Sequence, residues 1–229
     1  MYPAPLDSPT RPAAHRAALA AVLFGIPSLL LLVLVELEWG PLMSLDKDIA
    51  RTTHRWAVAD PGVTRASRVL TDWVWDPWTM RALCAVVAVW LAVRGAGRLA
   101  LWLAGTCLLA SVVQQSLKAA VDRPRPVWSD PVDSAHYAAF PSGHAMTAAV
   151  VCGLLLWLLR VYGVGRAPWR AAVALAVLSV AGVGLTRVWL GVHWTTDVLG
   201  GWLLGALTVA LAVMTYERGP GSRARQEPT

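Results

Sequence analysis

Residues 17–35 read AALAAVLFGIPSLLLLVLV, nineteen positions without a charge. At about 1.5 Å per residue such a run makes a helix roughly 28 Å long, close to the hydrocarbon thickness of a bilayer. Working outward, five more uncharged stretches follow at 82–93, 99–117, 145–159, 171–186 and 198–216. They predict an all-α polytopic membrane protein, a six-helix transmembrane bundle over residues 17–216. The flanks, 1–16 and 217–229, are rich in Pro, Gly and charge and are expected to be disordered cytoplasmic tails. The 82–93 stretch is short for a span, and is accepted because Arg81 and Arg94 can snorkel while Trp78 and Thr79 extend it. The first stretch follows Arg11 and Arg16 as a signal peptide would, but it is longer than the usual apolar region and lacks a clean cleavage site. It is expected to be retained.

Composition points the same way. Of 229 residues 56% are hydrophobic and only 15% charged, with 20 Lys and Arg against 14 Asp and Glu, a net charge of +6. Basic proteins often bind nucleic acid, but cations set between long apolar runs anchor a membrane protein instead, so no nucleic-acid partner is expected. Cys84, Cys107 and Cys152 are odd in number and lie in apolar runs, which argues against a disulfide framework or a paired-cysteine metal site. Among 13 tryptophans, Trp39, Trp73, Trp75, Trp78, Trp128, Trp169 and Trp194 sit where apolar runs meet polar segments, the depth indole rings favour.

Six spans place both termini on one side. Arg11, Arg16, Arg94, Arg98, Arg160, Arg166, Arg170, Arg218, Arg223 and Arg225 fall there in short, dense segments. The cations of the other side are as numerous, but they are spread through longer loops and offset by Asp46, Asp48, Asp60, Asp72 and Asp76. Density therefore places the termini in the cytoplasm. In the long loop 40–80, Leu45, Ile49, Thr52 and Trp56 recur at helical spacing, predicting a helix lying on the membrane surface. Pro61 starts a second short helix through Val63, Ser67 and Leu70. This loop is read as a cover over the helix ends, with a role in guiding lipid as the alternative.

Strongly polar residues adjoin the spans at one face. Lys118 ends the third, His144 begins the fourth, Arg187 ends the fifth, and His193 and Asp197 precede the sixth. Because successive spans alternate in direction, all four of these ends lie opposite the termini. Ionisable groups at membrane depth are costly, so their convergence marks a candidate site. Lys118, Arg125 and Arg187 suit a phosphate-like anion. Pro141-Ser142-Gly143-His144 reads as a helix start, with Ser142 able to cap and free N–H groups able to bind an anion. His193 and Asp197 are four apart, so on a helix they share a face and the carboxylate can fix the imidazole tautomer. His144 supplies a second imidazole for proton transfer. No carboxylate cluster of the kind a magnesium-dependent phosphatase needs is evident, so neither metal nor cofactor is expected.

The string Lys118-x6-Arg125-Pro126, Pro141-Ser142-Gly143-His144, Arg187-x5-His193-x3-Asp197 resembles the three-part signature of the type 2 phosphatidic acid phosphatase superfamily. It departs at Thr186, where that family usually has Ser. Arg123-Pro124 offers a second Arg-Pro pair, but the spacing from Lys118 selects Arg125. The resemblance implies a metal-independent membrane phosphatase in which His193 attacks phosphorus to form a phosphohistidine and Asp197 orients it. His144 would protonate the leaving oxygen and then activate water, while Lys118, Arg125, Ser142, Gly143 and Arg187 hold the phosphate oxygens. Asp122, Asp130, Asp133, His136 and Tyr137 are read as structural, with contact to the substrate headgroup as the alternative, and His15 and His54 as lying off the cluster.

The same signature occurs in soluble vanadium haloperoxidases, which are larger and not built from six apolar spans. An anionic-lipid transporter or binding protein is the alternative from another class, but a passive site does not need an oriented His193-Asp197 pair together with His144. A lipid phosphotransferase is a further one. The family's bacterial members imply polyprenyl diphosphate, phosphatidylglycerophosphate or phosphatidate as substrate, with isoprenoid diphosphate favoured. They also imply an active site on the outer face of the cytoplasmic membrane. Oligomeric state is left open.

Overall fold

The structure, a computed structural model, describes residues 11–218. Its helices are α1 (Arg11–Glu36), α2 (Gly40–Ala59), α3 (Pro61–Val69), α4 (Pro77–Val93), α5 (Gly97–Val121), α6 (Gly143–Val161), α7 (Arg166–Trp189) and α8 (Thr195–Arg218), with a π-helical turn at Leu70–Val74 between α3 and α4. Among the described residues there is no strand. Six segments are long and apolar enough to cross a membrane, the second running from Pro61 to Val93 through α3, the π turn and α4. The all-α, six-span architecture read from the sequence is thus the one observed. Of the two expected tails, the inner ends are helical, since α1 begins at Arg11 and α8 continues to Arg218; residues 1–10 and 219–229 lie outside the described residues.

Asp76 explains why the second span reaches beyond its short uncharged run. Its carboxylate accepts from the backbone N–H groups of Trp78 at 2.7 Å and Thr79 at 3.2 Å, capping a helix that starts at Pro77. Arg81 lies over the Trp78 ring and donates to Thr147 of α6 at 3.4 Å. Asp60 separates α2 from α3 in the same way, accepting from Val63 N–H at 3.0 Å with Pro61 in the first helical position.

Helix α6 is the centre of the bundle, packed on α4, α5, α7 and α8. Leu91, Leu103, Met146, Val151, Leu154 and Val183 fill the core around it. Large apolar side chains such as Leu23, Val86, Leu101 and Val177 face outward instead, as a lipid-facing surface requires. Helices α6 and α8 meet so closely that a Cβ on Gly201 would lie 2.7 Å from the Ser142 carbonyl oxygen.

Helix α2 forms where the Leu45, Ile49, Thr52, Trp56 spacing predicts a helix. Its buried face is Asp46, Ala50, His54 and Ala57, packed toward α7 and α8, while Leu45 and Trp56 of the apolar stripe are exposed. The polar groups turn inward to partners on other elements: Asp46 to buried Arg123 and Thr196, His54 to Trp128 and the Asp130 carboxylate.

Candidate active site

The spacing of the third motif follows from how α7 stops. Gly191 takes a left-handed conformation at φ +66, its N–H donates to Val188 O at 3.0 Å, and Val192 N–H donates to Arg187 O at 3.3 Å. This is the 6→1 and 5→2 pattern of a Schellman motif. A side chain at 191 would also collide with Trp128, whose Nε1 donates to Gly191 O at 2.8 Å. The turn keeps Arg187 in the last helical turn and delivers His193 immediately beyond it. Helix α8 begins two residues later, and Asp197 reaches back from its first turn to accept from Trp194 N–H at 2.9 Å, half of a capping box. His193 is therefore not helical, as the four-residue spacing had suggested. The pair meets because the capping carboxylate also accepts from His193 Nδ1 at 3.2 Å.

Helix α5 ends after Lys118 at Asp122, left-handed at φ 42, and the chain then runs extended through Arg125. The loop folds back on itself, Ala139 N–H donating to Arg123 O at 2.8 Å. Ser142 N–H donates to Asp197 O at 2.9 Å, so the start of α6 is tied to the start of α8. The chain ends that topology placed on one face are thereby drawn into one site.

His193 and Asp197 are wholly buried. With Nδ1–H given to Asp197, the Nε2 lone pair of His193 faces Arg125 Nη1 at 3.0 Å. The other donors of Arg125 go to backbone carbonyls: Nε to Tyr137 at 2.8 Å, Nη1 to Val192 at 2.6 Å, Nη2 to His136 at 3.1 Å. Lys118 Nζ donates to Ala138 O. Burial, then Arg187, pushes Arg125 down to about 10, still cationic at neutral pH. Burial, reinforced by Arg125, Arg187 and Lys118, holds the His193 imidazole well below its ordinary value, so the free ring is neutral. His144, in the first turn of α6, lies within electrostatic reach of Arg187, His193, Arg125 and Lys118.

Ser142 Oγ and Arg187 Nε are among the buried side-chain atoms of the described residues that have no protein hydrogen-bond partner. Ser142 occupies the N-cap position of α6, but its hydroxyl does not cap, contrary to expectation. Gly143 lies against Gln114: a Cβ there would meet Gln114 Nε2 at 2.7 Å and push that amide aside. Arg187 donates to Thr71 Oγ1 at 3.4 Å and lies 3.9 Å from Asp133. Thr186, the departure from the signature, spends its hydroxyl on Val183 O at 2.8 Å within its own helix. Among the described residues no three His, Cys, Asp or Glu are grouped to hold a metal ion.

Several residues at the site were not singled out from the sequence. Arg123, passed over in favour of Arg125, donates to Asp197 at 2.6 Å and to Asp46 of α2 at 2.8 Å. The tandem Arg-Pro pairs were the visible signal, since two such pairs beside one site invite two roles. Gln114, one turn before Lys118 in an apolar span, was legible in the same way. Asp46 had no cue beyond its charge. His54, off the cluster as expected, stacks on Trp128 at 4.0 Å and meets Asp130 at 3.0 Å, which holds that carboxyl below its ordinary value and braces the turn before His193.

These features define a six-span membrane protein with a cationic, two-histidine pocket at one end of the bundle. The PAP2 superfamily model matches residues 99–219, more than half of the chain, and the chain belongs to that superfamily. Phosphatidylglycerophosphatase B of Bacillus subtilis is 39% identical over 116 residues, 48% of this chain and 53% of that protein. Undecaprenyl-diphosphatase of Sulfolobus acidocaldarius is 33% identical over 93 residues, 38% of each chain. The chain thus spans about half or less of these curated relatives. The crystal structure of a transmembrane PAP2 type phosphatidylglycerolphosphate phosphatase from Bacillus subtilis superposes with a TM-score of 0.73 over 90% of this chain and 97% of that one, at 22% identity, a likeness of fold.

Proposed function

We propose that this protein is a lipid phosphatase that cleaves a phosphomonoester or diphosphate of a lipid through a phosphohistidine, without a metal ion. The observation that carries the reading is the His193–Asp197 pair, which holds Nδ1–H and leaves the Nε2 lone pair of a neutral buried imidazole turned toward the cations, 3.0 Å from Arg125 Nη1. The names of the two curated relatives support a lipid phosphate or diphosphate as substrate.

Nε2 of His193 attacks phosphorus in line while the bond to the leaving oxygen breaks. Asp197 accepts the Nδ1–H and stabilises the imidazolium that forms. Charge on the equatorial oxygens is met by Lys118, Arg125, Arg187 and Ser142, with Gly143 N–H at the helix start; this electrostatic stabilisation carries most of the catalysis. The unpartnered Ser142 hydroxyl and Arg187 Nε suit those oxygens. His144 gives its proton to the leaving group, then takes one from the water that hydrolyses the intermediate. The site opens on the outer face of the cytoplasmic membrane, a placement supported by the dense arginines at the opposite end, among them Arg94, Arg98, Arg160 and Arg166.

The test is phosphate release by purified protein from a panel of polyprenyl diphosphate, phosphatidylglycerophosphate and phosphatidate in excess chelator. Release is expected from at least one, and His193→Ala is expected to abolish it. Strict dependence on magnesium, full activity in the variant, or lipid binding with no release would overturn the reading.

A further inference from the structure

Behind the His193–Asp197 pair, on the side away from the phosphate-binding cations, runs a chain of buried polar groups that the signature does not include. Asp197 Oδ1 accepts from Arg123 Nη1 at 2.6 Å, and the same nitrogen donates to Thr196 Oγ1 at 2.7 Å. Arg123 Nη2 donates to Asp46 Oδ2 at 2.8 Å. Asp46 in turn accepts from Thr196 N–H at 3.0 Å and from the Thr196 hydroxyl. All four residues are buried, Asp46 at 1% and Asp197 at 0% exposure.

We infer that Asp46, Arg123 and Thr196 are positioning residues for the proposed nucleophile, so that helix α2 belongs to the catalytic machinery rather than serving only as a cover. The inference rests on the reading of His193 as the attacking group. Asp197 is fixed at both oxygens, one by Arg123 and one by His193 and Trp194 N–H, so it cannot rotate away from the imidazole. Charge makes the arrangement selective. Asp46, Arg123 and Asp197 together carry one net negative charge while His193 is neutral, and none once the imidazolium forms. A buried group of this kind favours the state in which the histidine is positive, which is the state reached in phosphoryl transfer. Arginine is needed because only its planar fork addresses Asp197 and Thr196 with one nitrogen and Asp46 with the other.

Removing the Asp46 charge leaves Asp197 as the one carboxylate paired with Arg123, which weakens Asp197 as a partner for His193 without touching the phosphate cradle. Asp46→Asn is therefore expected to lower kcat by about 10–100-fold, the range for groups that orient a ligand or nucleophile from behind. KM and the inhibition constant of inorganic phosphate should stay within about threefold, following the rule that an interaction made only in the transition state appears in kcat. Arg123→Ala is expected to be worse, and Arg123→Lys to recover part of the loss. All are measured per folded molecule, from the monodisperse size-exclusion peak. Normal kcat in folded Asp46→Asn overturns the inference, as does a rise in KM and phosphate inhibition constant that accounts for the whole loss. If Asp46→Asn does not accumulate, Thr196→Val and Arg123→Lys carry the same expectation. Failure of all three to fold assigns the chain a purely structural role and also overturns it. A wild-type protein that releases no phosphate from any lipid sinks the reading of the site itself, whereas an active wild type with unaffected variants sinks only the positioning role.

Discussion

In the proposed reaction the two histidines meet different demands, and the difference is measurable. His193 must be neutral to attack, and burial among three cations depresses its protonation, so the ring is neutral at pH 7 and is lost as a nucleophile only as pH falls through that lowered value. The acid limb of kcat/KM, which reports the free enzyme, is expected below pH 6.5; a limb centred at or above 7 would contradict the burial argument. His144 matters in proportion to how poorly the leaving group departs. An alkoxide needs a proton and a phosphate does not, so His144→Ala is expected to lower kcat/KM, which reports formation of the phosphohistidine and not its hydrolysis, by about 10²–10⁴-fold with a phosphomonoester lipid and much less with a diphosphate. Equal losses on both substrates, measured in parallel, would remove leaving-group protonation from its role. At this scale the proximity of Lys118, Arg125, His193 and Asp197 was legible in the sequence, since motif spacing reflects helix ends. The sequence could not reveal the Arg123–Asp46 contact, because residues so far apart along the chain leave no local pattern.

Elements meet at the site through backbone, which sets how much side chain they tolerate. Gly201 of α8 faces the Ser142 carbonyl and Met146 N–H of α6, and neither can give way as a side chain would. Gly201→Ala is expected to cost about 1–3 kcal/mol of stability by overpacking, read as a lower thermal midpoint in detergent. It should also lower activity, since the wedge separates Asp197 from the loop carrying Ser142. Gly25→Ala on α1 makes only an ordinary 3.6 Å contact with Leu207 and is expected to match the wild type in both assays. The helices themselves were legible because apolar runs and caps are local. The polar face that α2 turns inward was not: Asp46 and His54 are held there by ion pairing and hydrogen bonding to residues far along the chain, which no local spacing records.

For the whole molecule, six spans and the clustering of helix ends give a sidedness that labelling can test. Ser134 is exposed in the loop between α5 and α6. A cysteine placed there is expected to react with an impermeant maleimide added to intact cells; reaction only after permeabilisation would put the pocket on the cytoplasmic side. The order of the helices carries one further consequence, in time rather than space. Helix α1 packs chiefly along α8, so once made it must await a helix synthesised much later. Nearly 160 residues separate Glu36 from Thr195, and at translation rates of about 5–20 residues per second the wait is on the order of ten seconds. During it α1 must survive in the membrane without its partner. It is the most hydropathic of the six and the least buried in the finished bundle, the properties of a helix that can sit alone in lipid until biosynthesis delivers the surface it docks on.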